Sequence, residues 1–410
     1  MGGIKKPGAA LGVLTGINVL NYLDRYMVAP LLPLIIADLG ISKFRAGILG
    51  GCFIFVYSLV SPLIGWLGDR QRRLRLAAVG VVIWSAATFG SGLATTFALL
   101  LLARCLVGVG EASYSVVTPS LIADLYPAER RGRALAVFYS ALAVGPALGY
   151  MVGTWIGAKH GWRTAFFVGG GPGFVLALLL LVLAEPRRGQ FDAPKSETVP
   201  LSMRQAIAAL RRRPSYLFNT ASQTIYTFTM GGLAYWMPFY FVRERGLPLE
   251  SAGLIFGAVL LAAGFLGVLG GGQLGDRLAR RRQDGHFSLA GWALVASVPF
   301  TAVAILAPQP VIFWPAMFMT LFLLFLNTGP LNAAMANVLP ADLRARGFAL
   351  YTVAIHLFGD AISPPLIGLA ADKVGLRAPV LVSGLLLGLA GVLLLAGRKH
   401  LVADLQAAAR

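Results

Sequence analysis

Apolar runs of about twenty residues recur along the whole chain, separated by short polar stretches. Each run is long enough for a helix to cross a hydrocarbon core about 30 Å thick. The pattern predicts twelve spans, near 9–37, 46–68, 75–92, 96–123, 133–157, 163–184, 215–242, 251–274, 287–306, 311–338, 346–370 and 378–397. One polar stretch is long. It runs from Glu185 to Arg213, contains EPRRGQFDAPKSETVP and ends in RRR. It reads as a linker, so the expected organisation is a six-helix bundle over 1–184, a cytoplasmic linker over 185–213, and a second six-helix bundle with a short tail over 214–410. The fold class is an all-α membrane protein of twelve helices in two bundles.

Composition agrees. Of 410 residues, 57% are hydrophobic and 13% charged, and the mean hydropathy of +0.74 is far too apolar for a soluble globular chain. Forty-nine glycines fit the class, because small residues let membrane helices approach closely. The net charge of +18 raises the question of nucleic acid. Basic loops on the cytoplasmic side explain it better, and no nucleic-acid partner is expected. With both termini inside, 25 of the 35 Lys and Arg residues fall in inner segments, 8 in outer loops, and two, Arg25 and Arg104, within spans. That bias sets the expected orientation in an inner (plasma) membrane. Lys5 and Lys6 precede an apolar run, as in a signal peptide, but the run is too long and lacks a small-residue cleavage site, so it reads as span one. Cys52 and Cys105 lie inside spans and imply neither a disulfide framework nor a metal site. No cofactor is expected.

The two halves repeat. GWLGDRQRR begins at Gly65 after span two, and GQLGDRLAR begins at Gly272 after span eight. GWRTAFFV at Gly161 and GLRAPVLV at Gly375 open spans six and twelve. Internal symmetry of this kind marks secondary transporters. There is no nucleophile–base pair, no HExxH and no Walker sequence, so neither an enzyme nor an ATP-driven pump is expected.

GxLGDRxxR in both halves resembles the loop motif of the major facilitator superfamily. GPALG, from Gly145 to Gly149, resembles its antiporter-type glycine–proline motif in shortened form. NYLDRYMVAPLLP, RCLVGVGEASYSVVTPSLIADL and HLFGDAISPPLIG, on spans one, four and eleven, resemble the spinster branch. The resemblance implies alternating access, proton coupling and an amphipathic lipid substrate such as a lysophospholipid or sphingosine phosphate. It also implies that spans one and four line the cavity, that spans five and eight face each other, and that the first loop motif latches the cytoplasmic side. A short-loop member need not share the animal substrate. The alternative is a proton-coupled carrier of a small water-soluble organic anion, sugar or drug. Protons, the substrate and membrane lipids are the expected partners of a monomer.

Asp24 lies about sixteen residues into span one, where a charge costs roughly 2.5–3.5 kcal/mol. Arg104 and Glu111 on span four are seven apart and point the same way, with Gly108 and Gly110 between and beside them. Asp24, Arg104 and Glu111 are therefore the expected proton-coupling cluster, with a fixed ion pair as the rival reading. Arg25 is about 100° round the helix from Asp24, so it cannot neutralise it from the same face. It is a candidate for packing or for a lipid head group. Arg25, Arg104, Asn219, Gln223, Tyr226, Asn327 and Asn332 are the candidate substrate contacts, with Thr227 and Thr328 as further hydroxyls. Each neutral one could equally be interhelical glue. His356 and Asp360 at i, i+4 form a possible second titratable pair. The expected latch comprises Gly65, Asp69, Arg70, Arg73, Asp276 and Arg277. In it Gly65 and Gly272 permit close packing, and Asp69 lies near Arg70, Arg73, Arg130, Arg131 and Arg133.

Overall fold

The structure, a computed structural model, describes residues 6–191 and 202–409. The linker expectation over 192–201 lies outside them. The described residues form α1 (Pro7–Leu39), α2 (Lys43–Arg70), α3 (Arg73–Ser91), α4 (Phe97–Ser115), α5 (Thr118–Leu125), α6 (Ala128–Tyr139), α7 (Ala141–Leu181), α8 (Met203–Arg211), α9 (Pro214–Arg243), α10 (Leu249–Arg281), α11 (Gly285–Leu306), α12 (Pro310–Phe325), α13 (Thr328–Val338), α14 (Ala341–Ile355), a π-turn (His356–Asp360), α15 (Ser363–Val374) and α16 (Arg377–Ala409). Local signals start and stop them. The Ser42 and Thr96 side chains accept from the backbone N–H of Arg45 and Leu99, capping α2 and α4. Gly40, in the left-handed region, ends α1. Ser202 and Gln205 form a reciprocal capping box on α8.

Among the described residues, ten stretches are long and apolar enough to cross a membrane. One, Glu129–Leu181, has 53 residues and breaks at Gly161, so it supplies two spans. The 30 residues of α9 are long enough for a twelfth. Its run of Asn219, Thr220, Ser222, Gln223, Thr224 and Thr227 keeps its hydropathy below that of the others. Four spans are interrupted, and the interruptions fall at matching places in the two sequence halves. Span four breaks at 116–117 and span ten at 326–327. Span five breaks at Ser140 and span eleven at the π-turn.

The chain forms two compact units, Met1–Ser196 with Ala234–Gly257, and Glu197–Leu233 with Ala258–Arg410. The first therefore takes in the second part of α9 and the start of α10, beyond the expected boundary at residue 184. Hydrogen bonds within that unit explain why. Tyr235 donates to the Ala46 carbonyl and the Tyr150 hydroxyl to that of Ala234, both at 2.6 Å, and Arg243 donates to that of Pro33 at 3.3 Å.

In the first unit α1 lies along α7. A Cβ on Gly145 would stand 2.3 Å from that of Tyr22, and one on Gly149 would stand 2.6 Å from the Leu23 carbonyl. These glycines, with Gly153 against Met27 and Pro30, thus seat α1 rather than the start of α10. The expected meeting of spans five and eight is present at Gly253, which packs on Thr154, and at Gly257, which packs on Ala147 and Met151. Gly264 lies against Phe325. In the second unit, Ser222 and Thr229 of α9 donate to the Ala390 and Ser383 carbonyls of α16, and Gly291 and Gly391 let α11 and α16 touch backbone to backbone.

The second sequence echo has a backbone cause. Gly161 has φ 82° and ψ 162°, and Gly375 has φ 78° and ψ 170°, a region essentially closed to other residues. Two residues later, Arg163 donates to the Ala94 carbonyl and Arg377 to that of Leu306, both at 3.2 Å. Each half thus turns on a glycine and uses the following arginine to satisfy a carbonyl at the end of its own third span. Gly375→Ala is expected to cost roughly 1–3 kcal/mol and to lower the thermal midpoint in detergent. Gly12→Ala, in a helix with open space around it, should not lower it.

Candidate functional site

The charged residues of spans one and four come together in the first unit, in an arrangement that differs from the sequence expectation. Arg25, not Arg104, holds Glu111. Its Nη2 and Nε donate to the same oxygen, Oε2, at 2.7 and 3.1 Å. Glu111 is fully buried, and 15% of the Arg25 side chain is exposed. The 100° offset of Arg25 from Asp24 points it away from Asp24 and toward α4, which is how it reaches Glu111. Three rings surround its guanidinium: Tyr22 at 5.0 Å, Phe53 at 4.9 Å and Tyr57 at 5.2 Å to their centroids. Cation–π contacts at such distances help hold a cation that has left water. Arg104, 2% exposed, also stacks on Phe53 at 4.9 Å, and its Nε reaches the Leu49 carbonyl at 3.5 Å.

Asp24 is fully buried, and neither carboxylate oxygen has a hydrogen bond. The Trp84 indole approaches it without meeting hydrogen-bond geometry, and Glu111 and Arg104 are the charges that act on it. A Cβ on Gly169 would stand 2.9 Å from Oδ1, so α7 closes over the group. One turn earlier, the buried Asn21 amide faces the Glu111 carboxyl as a nearby donor, outside strict hydrogen-bond geometry. Two carboxyls and two guanidiniums therefore share one pocket of helix packing, with one pair made and the other two groups separate.

In the second unit the candidate amides form a short buried chain at the break in span ten. Gln223 donates to Asn327 Oδ1 at 3.3 Å, Asn327 to the Leu324 carbonyl at 2.6 Å, and Asn219 to that of Leu331 at 3.5 Å. Tyr226 is half-buried on the same helix. Asn332 is exposed and donates to Thr328 of its own helix. His356 Nδ1 lies 3.1 Å from both oxygens of Asp360, across the π-turn, with side-chain exposures of 27% and 18%. Gly231 of α9 makes room for Asp360, whose Cβ would stand 2.5 Å from one added there. No group of three or more metal-ligating side chains occurs among the described residues.

The loop motif requires two corrections. The close approaches fall on Gly68, against Val117, and Gly275, against Pro330. Gly65 has only an ordinary contact, and Gly272 has nothing within 4 Å of an added Cβ. Asp69 is exposed and makes no ion pair among the described residues, while Arg70 stacks on Trp66 at 4.0 Å. Arg73 is buried and engaged elsewhere. It pairs with Asp124 at 2.6 Å and reaches Glu185 at 3.8 Å and Ser120 at 3.2 Å. Arg188 donates to the carbonyls of Gly68, Asp69 and Gln71 at the end of α2. Asp276 and Arg277 are exposed. Beside them, the Asp284 carboxyl is raised by burial. Hydrogen bonds from Arg282 and Ser288 and the charges of Arg282 and Arg398 more than offset this, holding it below the usual range. A lowered folded pKa stabilises fully above the unfolded value of roughly 3.9 and is lost as pH falls through the folded one.

Sequence reading missed Tyr22, Phe53, Tyr57, Trp84, Asp124, Glu185 and Arg188. Tyr22 and Arg25 stand at i, i+3 and Phe53 and Tyr57 at i, i+4, spacings that place each pair on one helix face. Nothing in the sequence joins Arg73 to Asp124 or Glu185.

The major facilitator superfamily model matches residues 14–364. Human protein spinster homolog 1 is 37% identical over 385 residues, covering 89% of this chain and 73% of its own. The zebrafish sphingosine-1-phosphate transporter SPNS2 is 34% identical over 392 residues, covering 90% and 77%. The fold matches a bacterial homolog of the human lysosomal transporter spinster, crystallised inward-facing and unoccupied, with TM-score 0.87 at 22% identity over 97% of this chain and 98% of that one. It also matches a D-xylose–proton symporter, with TM-score 0.71 at 18% identity over 94% and 96%. The chain belongs to the major facilitator superfamily, in its spinster branch. It is a multi-pass membrane transporter and not an enzyme.

Removing one partner of a buried pair strands the other charge, at about 3–5 kcal/mol. Arg25→Met and Glu111→Gln should each lower the thermal midpoint in detergent. The double variant should lose less than the sum of the two, the mark of direct coupling. Strict additivity would show that the pair contributes nothing.

Proposed function

We propose that the chain is a proton-coupled secondary transporter. It moves an amphipathic lipid with an anionic head group, such as a lysophospholipid or sphingosine phosphate, by alternating access. The observation that carries this reading is Arg25, caged by aromatic rings and held by one carboxylate beside a second, Asp24, that makes no hydrogen bond in good geometry. The names of the relatives support the lipid, and the positive charge of the loops supports an inner membrane with both termini inside.

The chemistry follows from competition. An anionic head group and the Glu111 carboxylate both want Arg25, since guanidinium pairs equally well with phosphate and carboxylate. Protonating Glu111 releases Arg25 to the head group, so proton and substrate bind together. Asp24 has only the Trp84 indole near it as a donor and no hydrogen bond in good geometry, and the neutral acid is the form such a buried site accommodates. A proton passing between the two carboxyls leaves Arg104 as the standing cation. Asn219, Gln223, Tyr226, Asn327 and Asn332 are proposed to orient the neutral part of the head group, with His356–Asp360 as the second titratable pair. Gly65, Asp69, Arg70, Arg73, Asp276 and Arg277 keep the proposed latch role, which requires Asp69 to gain in another state the cations it lacks here. The transporter is proposed to act as a monomer.

Proteoliposome assays with an anionic lysophospholipid test the coupling. Wild-type affinity should rise as pH falls from 8 to 6. Glu111→Gln should bind with little pH dependence, and Asp24→Asn should lose uptake driven by a proton gradient. Arg25→Gln should weaken an anionic lysolipid about tenfold or more relative to a neutral one, the equivalent of one charge-assisted bond. Equal losses for both lipids, or an unchanged pH profile in both carboxyl variants, would overturn the reading.

A further inference from the structure

Trp84 of α3 is fully buried, and its indole N–H makes no hydrogen bond in good geometry. A buried indole N–H ordinarily finds an acceptor, and a phenylalanine fills apolar space without needing one. The group that the indole approaches is the Asp24 carboxyl of α1. Two residues of α4 fix that approach. Gly110 seats the backbone of α3, where an added Cβ would stand 2.6 Å from the Trp84 backbone nitrogen and 2.7 Å from its Cβ. The Tyr114 ring, one turn further along, meets the indole edge-on, with centroids 5.6 Å apart and planes at 76°. The Tyr114 hydroxyl donates to the Leu14 carbonyl of α1. The ring on which the indole rests is thus tied to the helix that carries Asp24.

Each helix packed on Asp24 presents something different to it. From α4 the charges of Glu111 and Arg104 act on it. From α7 comes Gly169, which has no side chain to offer. From α3 comes the Trp84 N–H. Glu111 is held by Arg25, and Arg104 is stacked on Phe53 with its Nε at the Leu49 carbonyl. A proton that moves from Asp24 to Glu111 frees Arg25 and leaves a carboxylate at Asp24. The donor already beside that carboxylate is the indole.

We propose that Trp84 is the positioning residue that receives the Asp24 carboxylate when its proton leaves for Glu111. This rests on the proposed proton role of the two carboxyls. The O–H bond of Asp24 breaks, that of Glu111 forms, and the indole keeps its own proton throughout. With the proton on Asp24, Arg25 holds Glu111 and the indole contact is loose, as in this structure. With the proton on Glu111, the indole N–H closes on Asp24 and Arg104 supplies the nearby positive charge. A hydrogen bond to the charged form of a group favours that form. Trp84 therefore gives the shared proton a second resting place, and so sets how readily Arg25 is released to an anion.

The indole itself reports this, with no substrate present. The protein has seven tryptophans, and in protein carrying nitrogen-15 tryptophan the Trp84 resonance is the one that Trp84→Phe removes. Its indole proton should move downfield as pH rises from 6 to 9, and should stand still in Asp24→Asn, where the acceptor is neutral throughout. If Trp84→Phe does not fold, wild type against Asp24→Asn decides alone, since one of the seven indoles must lose its pH dependence. An absence of any pH-dependent indole, or the same movement in Asp24→Asn, overturns the proposal. Binding gives a second reading. Trp84→Phe should weaken an anionic lysophospholipid about tenfold, the equivalent of one hydrogen bond to a charged group. In the Glu111→Gln background, where Arg25 is already free, the same substitution should cost nothing further. An equal loss in both backgrounds shows that Trp84 only fills space, and overturns its role. An indole titration that vanishes in Asp24→Asn, in protein that carries no lysolipid, upholds Trp84 and removes only the lipid reading.

Discussion

A charge inside hydrocarbon survives only if the protein supplies what water would have supplied, and the first unit is arranged around that constraint. Arg25 receives a carboxylate and three aromatic faces, and Arg104 receives a ring and a carbonyl. Helix packing has to deliver these partners, which is why α1, α2 and α4 converge at Phe53. Gly108 lets α4 press on the Phe53 backbone, where a Cβ would stand 2.7 Å from its carbonyl oxygen. Asp24 is the exception, buried with only the Trp84 indole near it and no hydrogen bond in good geometry. A group left so costly in a well-packed helix bundle has its explanation in chemistry more readily than in stability.

The same accounting governs the ends of helices. Arg163 and Arg377 each close a carbonyl at the end of the third span of their half, and Arg188 closes three carbonyls at the end of α2. Asp404 does the converse for the N–H of Ser215. Side chains from distant sequence positions thus complete backbones that the helices leave open, and the halves use the same device at Gly161 and Gly375 although their other residues there differ.

Much of this was legible in the sequence because it depends on spacing within one helix. Span length, the two bundles and the i, i+4 contact of His356 with Asp360 all follow from local periodicity. What was not legible depends on which helix stands opposite. Spacing put Arg104 and Glu111 on one face and told correctly that Arg25 turns away from Asp24, but the angle within α1 says nothing of the partner that waits there. The loop motif shows the same limit. Four glycines stand in its two copies, and only the neighbours Val117 and Pro330 decide that Gly68 and Gly275 are the crowded ones. For span seven the pattern of length survived where raw hydropathy did not, since several of its polar residues, Ser222, Gln223 and Thr229 among them, find partners inside the second unit.

The π-turn of span eleven has a consequence for how this chain tolerates change. A hydrogen bond from the Ala361 N–H to the His356 carbonyl encloses one residue more than an α-turn would. Losing a residue from an ordinary membrane helix rotates everything beyond the loss by about 100° and turns its buried face outward. Loss of one residue between His356 and Asp360 would instead convert the turn to regular α-helix and leave α15 in its present register. Span eleven thus holds a slack position in its own reading frame, at the place where His356 and Asp360 meet.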